Sequence, residues 1–526
     1  MKHYERGNPK PELVIGIAGP TGTDLPSVAD SLTELLRAYK YESFQIRVSD
    51  LIQSVCSEEV VRTIGDEKFD QRVKYLMNAA DLIRTEVGSG AALIPLIVSR
   101  IRFLRQSFLL DEGCDTDFED VELYNRCYII NSLKHPDEVR LLRKIYGSKF
   151  IMISAFSSFQ KRKENLVSQI QKSIKTTDSG GLQERANNLI ELDRKRPGSR
   201  IGQNLSSTFH LADLFISQDE KFETELKRLL SLVFGHPYVT PTRDEMHMFE
   251  AQAVAFRSAD LSRQIGAIIV DRDGFVVARG CNEVPLPSGG AHWSDDEQRN
   301  DNRDFTTGRD FNAVKKIDIV KELMEFLNQK GHLTEDIGKD VNATVADLIF
   351  GKFQSEFKDL RVSNLIEFGR VVHAEMHAFI EAARRGTSVD EGTVYTTTFP
   401  CHMCGRHIIA AGINRVVYIE PYPKSMTGEL FNREIVLDDE DGEREPIEGS
   451  VTFEPFNGVA PRFFQEVFSA PKRKDENGYT IKYNNYQAQP RFTNLSTSHL
   501  SREAVLSAQI ARISKIKTID EISDER

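Results

Sequence analysis

Two short motifs constrain the fold of this chain more than any other feature. H-A-E at 373–375 opens one predicted helix and P-C-H-M-C at 400–404 opens another, with 27 residues between His373 and Cys401. The run TVYTTT at 393–398 predicts a strand between the two helices. Parallel strands joined by helices bring the helix N-termini to one end of a sheet. We therefore expect an imidazole and two thiols to lie together at the edge of an α/β sheet.

The residue types in these motifs predict a zinc site. His373, Cys401 and Cys404 supply one nitrogen and two sulfur donors, a set that suits zinc. Thiols at a helix N-terminus also have lowered pKa values. Three protein ligands leave a fourth position for water, whose pKa zinc lowers to roughly 7. Glu375 is placed to move protons to and from that water, and H-x-E with P-C-x-x-C is the signature of zinc deaminases.

A closed structural zinc site and a redox dithiol are the alternatives. A closed site needs a fourth ligand, for which His377, His402 and His407 are nearby candidates. A redox C-x-x-C leaves His373 and Glu375 without a role. The pattern therefore favours a catalytic zinc.

Residues 244–425 resemble the deoxycytidylate deaminase family. The resemblance rests on RQIGAIIVD at 263–271, GCNEVP at 280–285, and the two motifs above. It implies that His373, Cys401 and Cys404 bind zinc and that Glu375 is the acid/base. It further implies that Asn282 contacts the sugar of a nucleotide, with a turn residue as the alternative. Arg263 and Lys424 are candidate phosphate contacts, with plain surface cations as the alternative.

The N-terminal part predicts a parallel sheet built from βαβ units. Apolar or β-rich runs at 13–18, 44–48, 127–131 and 150–155 alternate with helical stretches. The segment that follows the first run retains Gly19, Gly22 and Thr23 of a phosphate loop, but Asp24-Leu25-Pro26 replaces its Gly-Lys-Ser/Thr end. Because that lysine and hydroxyl hold phosphate and magnesium, we expect a degenerate kinase-like fold without phosphoryl transfer.

The whole chain looks most like the bacterial anti-phage dCTP deaminases. The resemblance implies a P-loop-kinase-like parallel-sheet domain at 10–236 and a cytidine-deaminase-like α/β/α domain at 241–470. The latter carries an insertion at about 294–368, and a C-terminal extension follows at 471–526. It implies deamination of dCTP to dUTP, or of dCMP to dUMP, which depletes dCTP during phage infection. A homo-oligomer, regulated by a nucleotide or an RNA through the first domain, is the expected form.

Charge and hydropathy limit the partners and the cellular compartment that we expect for this protein. The net charge of −11 and the pI of about 5.7 disfavour a long nucleic acid as the partner. No apolar run reaches the roughly 20 residues of a membrane helix, and no apolar leader is present, so we expect a cytoplasmic protein without membrane contact.

Two rival functions stay open. They are a DNA or RNA cytidine deaminase, and a nucleotide-sensing regulator with a structural zinc.

Overall fold

The chain folds into two compact units. The computed structural model describes residues 9–56, 68–111, 122–174, 179–194, 204–219, 221–296, 301–358, 360–422, 425–437, 447–469, 471–491 and 498–510. The first unit holds the described residues up to Met246 and those from Phe456 onward, and the second holds those between His247 and Pro455.

The first unit is built on a six-stranded sheet with the order β12-β5-β4-β1-β3-β2. Neighbouring strands from β5 to β2 are parallel, and β12 pairs antiparallel with β5. Every residue of β1 is buried, as expected where helices cover both faces of a parallel sheet. The strands are β1 Leu13–Ala18, β2 Glu42–Arg47, β3 Arg126–Asn131, β4 Phe150–Phe156, β5 Leu214–Ser217 and β12 Gly458–Val459.

Helices connect these strands. Asp24 and Pro26 favour the start of the first helix. The Asp24 side chain accepts a hydrogen bond from the Ser27 amide, and Pro26 lies in the first turn. The helices of this unit are α1 Leu25–Arg37, α2 Val48–Gln53, α3 Phe69–Val87, α4 Ile94–Asp111, α5 Pro136–Tyr146, α6 Phe159–Ile174, α7 Ser179–Arg194, α8 Leu205–Phe209, α9 Phe222–Val233, α19 Pro461–Phe468 and α20 Ser498–Ser507. The boundary at Met246 falls inside α10, Arg243–Ala255.

The second unit has its own six-stranded sheet, with the order β10-β11-β9-β8-β6-β7. The apolar runs on either side of Asp273-Gly274, a pattern that predicts a hairpin, form the antiparallel pair β6–β7, while β8 and β9 are parallel. The strands are β6 Gly266–Val270, β7 Val276–Cys281, β8 Thr393–Thr398, β9 Arg415–Glu420, β10 Ile435–Leu437 and β11 Val451–Pro455. The helices are α11 Asp304–Thr307, α12 Phe311–Gln329, α13 Glu335–Gly338, α14 Val341–Ile349, α15 Gln354–Lys358, α16 Ala374–Arg385, α17 His402–Ala410 and α18 Thr427–Leu430.

A glycine brings the first motif helix close to the sheet. A Cβ atom on Gly280 of β7 would lie 2.1 Å from the carbonyl oxygen of Ala374 and 2.5 Å from the amide of Ala378. Only glycine permits this approach, which seats the start of α16 against β7.

The C-terminal part belongs to the first unit, although the sequence had placed residues up to 470 with the deaminase region. Val459 pairs with Leu214 of β5, and Arg462 forms an ion pair with Asp213. A strand of two residues is too short to show a periodic pattern, so the sequence does not predict its pairing with a distant strand. Within the described residues, every helix is too short or too polar to cross a bilayer.

Candidate active site

The two motif helices begin in the same way. His373 is the N-cap residue of α16 and Cys401 is the N-cap residue of α17, and both have extended backbone angles. Neither side chain caps its own helix, so both are available to a ligand. Cys404 lies in the first turn of α17. The strand β8 connects the two helices, and their N-termini therefore meet at the carboxyl edge of the sheet, as predicted.

The three predicted ligand side chains are gathered into one group. The Nδ1 atom of His373 lies 3.3 Å from the sulfur of Cys401 and 3.4 Å from the sulfur of Cys404. All three donor atoms lie within 4.8 Å of one another. One imidazole nitrogen and two thiol sulfurs at this separation fit the first coordination sphere of a tetrahedral zinc ion, with one position left over.

Hydrogen bonds inside the group shift its pKa values in opposite directions. The hydrogen bond from Cys404 lowers the pKa of Cys401, and His373 lowers it further. The same bond and burial raise the pKa of Cys404, and the hydrogen bond with Cys401 raises the pKa of His373. The group thus stabilises one thiolate without a metal, and metal binding displaces the remaining protons.

Glu375 is buried beside the group and is held at both carboxylate oxygens. Its Oε2 lies 3.3 Å from the sulfur of Cys404, and its Oε1 lies 3.3 Å from the hydroxyl of Thr396 on β8. Burial raises the pKa of Glu375. A raised carboxyl pKa suits a group that both accepts and donates protons near neutral pH.

A cavity of about 360 Å³ lies next to the predicted zinc ligands. Cavities of this size accept small ligands. His373, Glu375 and Cys401 line it, together with residues of the segment that joins β7 to α16. The other lining residues are Asp260, Leu261, Ser262, Arg263, Ile265, Asn282, Asp304, Asp310, Asn312, Lys316, Ile366, Gly369, Val371, Thr398, Phe399 and Tyr422.

Two of the three predicted substrate contacts line this cavity. The Asn282 side chain accepts a hydrogen bond from the Ile265 amide and donates one to the Arg263 carbonyl, both at 2.7 Å, so it also fixes the loop before β6. The Arg263 guanidinium is half-exposed and lies 2.7 Å from Glu420. Lys424 lies outside the described residues.

The three histidines proposed as a fourth ligand have other surroundings. His377 Nδ1 contacts the backbone of Cys281, which ties α16 to β7. His407 Nδ1 contacts the carbonyl of Met403, and His402 Nδ1 is buried without a hydrogen-bond partner among the described residues. None of the three belongs to the metal-ligand group found in the described part of this unit.

In the first unit, backbone groups of the loop at 19–24 are bound by the protein's own side chains. The Thr21 amide donates to a carboxylate oxygen of Asp193 at 2.8 Å, and the Asp24 amide donates to Gln218 at 3.0 Å. The Gly19 carbonyl accepts from Lys134, and the Gly22 carbonyl accepts from Asn165. Thr23 is buried next to these contacts.

A second potential metal-ligand group, which the sequence did not reveal, lies in the first unit. It consists of Glu12, Glu122 and His499. Arg105 binds both oxygens of Glu12, and Lys149 lies 2.6 Å from Glu122. Because cations of the protein already pair with these carboxylates, we assign the group to a buried ionic network.

A family comparison agrees with the geometry. Residues 241–420 match the family described as "Cytidine and deoxycytidylate deaminase zinc-binding region". Residues 241–420 thus form a domain that is similar to the zinc-binding region of cytidine and deoxycytidylate deaminases. Zinc is the cofactor of this domain, and the His/Cys/Cys group described above is the place in it that could hold the metal.

Curated relatives resemble a short stretch of the chain. The deoxycytidylate deaminase of Enterobacteria phage T4 is 42% identical over 57 residues, which is 11% of this chain and 30% of the relative. ComE operon protein 2 of Bacillus subtilis (strain 168) is 42% identical over 53 residues, 10% of this chain and 28% of the relative. The matched stretches thus span less than a third of these relatives.

Solved structures give a weaker likeness. The dCMP deaminase of cyanophage S-TIM5 in apo form is 16% identical, with 41% of this chain and 100% of that chain covered and a TM-score of 0.21. The same enzyme in complex with dCMP and dUMP is 17% identical, with 42% and 100% covered and a TM-score of 0.22. These scores are too low to support an inference about this chain.

Proposed function

We propose that this protein hydrolyses free deoxycytidine nucleotides, dCTP or dCMP, to the deoxyuridine nucleotides and ammonia. The observation that carries the proposal is the position of Glu375, which shares one cavity wall with His373 and Cys401 and contacts Cys404. A zinc ion with a purely structural role needs neither a cavity nor a neighbouring carboxylate that is not one of its ligands. A nucleotide-sensing regulator with a structural zinc is therefore the weaker candidate.

Zinc bound by His373, Cys401 and Cys404 would act as a Lewis acid and lower the pKa of a bound water. Glu375 transfers the protons. Its carboxylate takes a proton from the attacking water and delivers it to the ring nitrogen beside C4. It next takes the proton of the new hydroxyl and gives it to the amino group, which leaves as ammonia when the C4–N bond breaks. The buried Thr396 hydroxyl helps to hold the carboxylate in place.

A free nucleotide is favoured over a polynucleotide by charge. Among the residues that line the cavity, the Lys and Arg side chains are those of Lys316 and Arg263, which can face the phosphates of one nucleotide but do not follow a nucleic-acid backbone. Binding sites for single-stranded nucleic acid instead combine a basic groove with stacking aromatics. The net charge of −11 points the same way.

We further propose that the first unit is a degenerate nucleotide-kinase-like fold that serves regulation, sensing or assembly. The central position of β1 and the loop that joins it to α1 support the kinase-like ancestry. The Asp193 carboxylate on the Thr21 amide supports the loss of phosphate binding, because it occupies an amide that a phosphate would need. Resemblance to the anti-phage dCTP deaminases extends the proposal to dCTP depletion during infection, by a cytoplasmic homo-oligomer under control of a nucleotide or an RNA.

One substrate panel tests the proposal. Purified protein is incubated with deoxycytidine, dCMP, dCTP, CTP and a cytosine-containing oligonucleotide, and ammonia release is measured. We expect release from dCMP or dCTP and none from the oligonucleotide. Release from the oligonucleotide alone would favour a polynucleotide deaminase. Binding of nucleotides without release, by zinc-loaded protein, would favour a regulator.

A further inference from the structure

The segment inserted between β7 and α16 builds part of the cavity wall. Asn312 and Lys316 lie four residues apart on α12, so they share one face of that helix, and both line the cavity that contains His373 and Glu375. No sequence motif marks Asn312 or Lys316. They reach the cavity only because the inserted segment folds back toward His373 and Glu375.

Lys316 differs from the other charged residues of the wall. Arg263 is paired with Glu420 at 2.7 Å. The Lys316 ammonium donates to the Ser363 carbonyl at 3.1 Å and forms no ion pair with a described carboxylate. A lysine ammonium has three donors, so two stay available for an anion.

The carboxylates of the wall have partners of their own. Asp304 is paired with Arg370 at 2.8 Å. Asp310 accepts from the Ala313 amide and caps α12, and Asp260 accepts from the amides of Ser262 and Arg263. Among the described residues, Lys316 is therefore the cation of the wall that has no ion pair, while backbone amides already hold Asp260 and Asp310 in place.

Asn312 anchors the inserted segment next to Lys316. Its Nδ2 donates to the Leu365 carbonyl at 2.9 Å, which ties α12 to the later part of the insertion. Its Oδ1 is buried away from solvent, so a ligand in the cavity does not reach it. Asn312 therefore supports the position of Lys316 without contacting the substrate.

We propose that Lys316 binds the 5′-phosphate of the nucleotide, while Asn312 holds the inserted segment that carries Lys316. The inserted segment then determines the preference for phosphorylated substrates over the nucleoside. The inference rests on the proposed deaminase function and deepens it. It assigns the phosphate to a residue outside the deaminase motifs.

The test compares kcat/KM for deoxycytidine, dCMP and dCTP in the full-length zinc protein and three variants. Lys316→Ala should lose about 10–100-fold on dCMP and dCTP, through KM, because a charge-assisted hydrogen bond is lost. Its value for deoxycytidine should stay unchanged. Asn312→Ala should lose activity on the same two nucleotides, because the segment that carries Lys316 is then held less firmly. Lys315→Ala is the matched control, since Lys315 is exposed, pairs with Asp318 and does not line the cavity.

The outcomes separate this inference from the proposed function. Wild-type protein that deaminates none of the three substrates would refute both. Wild-type turnover together with an unchanged phosphate preference in Lys316→Ala would overturn the inference alone, as would an equal loss on nucleoside and nucleotides. The dissociation constant of dUMP gives the same comparison without turnover, and melting temperature and zinc content check that each variant is folded.

Discussion

The sulfur of Cys404 lies 3.3 Å from the Oε2 atom of Glu375. The carboxylate that is proposed to move protons therefore touches a predicted zinc ligand. Glu375 does not belong to the His/Cys/Cys group that could hold the metal, so it would be free to exchange protons with a water that the metal activates.

Cys404→Ser should release the metal. Purified wild-type protein should hold about one catalytic zinc per chain, and loss of one thiolate ligand should abolish both zinc binding and ammonia release. Cys56→Ser is the control, because Cys56 is a half-buried thiol of the first unit. Zinc content by mass spectrometry decides the matter, and normal activity in zinc-free protein would contradict the assignment.

Thr396→Val should slow turnover while zinc stays bound. The variant removes the hydroxyl 3.3 Å from Glu375 with almost no change of shape. The loss of one hydrogen bond to the carboxylate should reduce kcat up to about tenfold. Thr393→Val, at the other end of the same strand, should have no such effect. An equal fall in both variants would assign Thr396 to strand stability.

The first unit should not transfer phosphate. Asp193 and Gln218 accept hydrogen bonds from amides of the loop at 19–24, and Asp24-Leu25-Pro26 stands at the start of α1, where a phosphate loop would have Gly-Lys-Ser/Thr. With magnesium and labelled ATP, no phosphate should pass to a nucleoside monophosphate. Transfer that persists in the Glu375→Ala variant after rigorous purification would overturn the degenerate-kinase interpretation.

The buried network of the first unit should make the fold sensitive to acid. Burial raises the pKa of Glu12, but the ion pair with Arg105 and the contact with His499 together outweigh burial and leave the pKa below its usual value. A lowered pKa in the folded state stabilises the protein above the unfolded value of about 4.3, and this stabilisation is lost as the pH falls below it.

Glu12→Gln measures that contribution. At pH 7 the variant should be less stable than wild type by about 1.5–3 kcal/mol, the value of a hydrogen bond to a charged group. The difference in melting temperature should shrink as the pH falls below about 4.3, with zinc content at pH 7 as the control. A difference that does not change with pH would contradict the role of Glu12.

Local patterns predicted the catalytic group but not its surroundings. The turn signal Asp273-Gly274 between two apolar runs located the hairpin, and the H-A-E and P-C-H-M-C motifs located the starts of α16 and α17. Lys316 and Asn312 carry no local signal, since only the path of the insertion brings them to the cavity. Thr396 was detectable in principle, as a polar residue in a buried strand.

Ammonia release from dCMP and dCTP by the Glu375→Ala variant, measured together with its zinc content and melting temperature, tests the central claim most directly. If Glu375 only moves protons, zinc and fold should stay intact while the rate falls by at least about 10²–10⁴-fold. If Glu375 is instead a structural ligand, the variant should lose its zinc and unfold at lower temperature. Retained turnover in a zinc-loaded Glu375→Ala protein would contradict the mechanism.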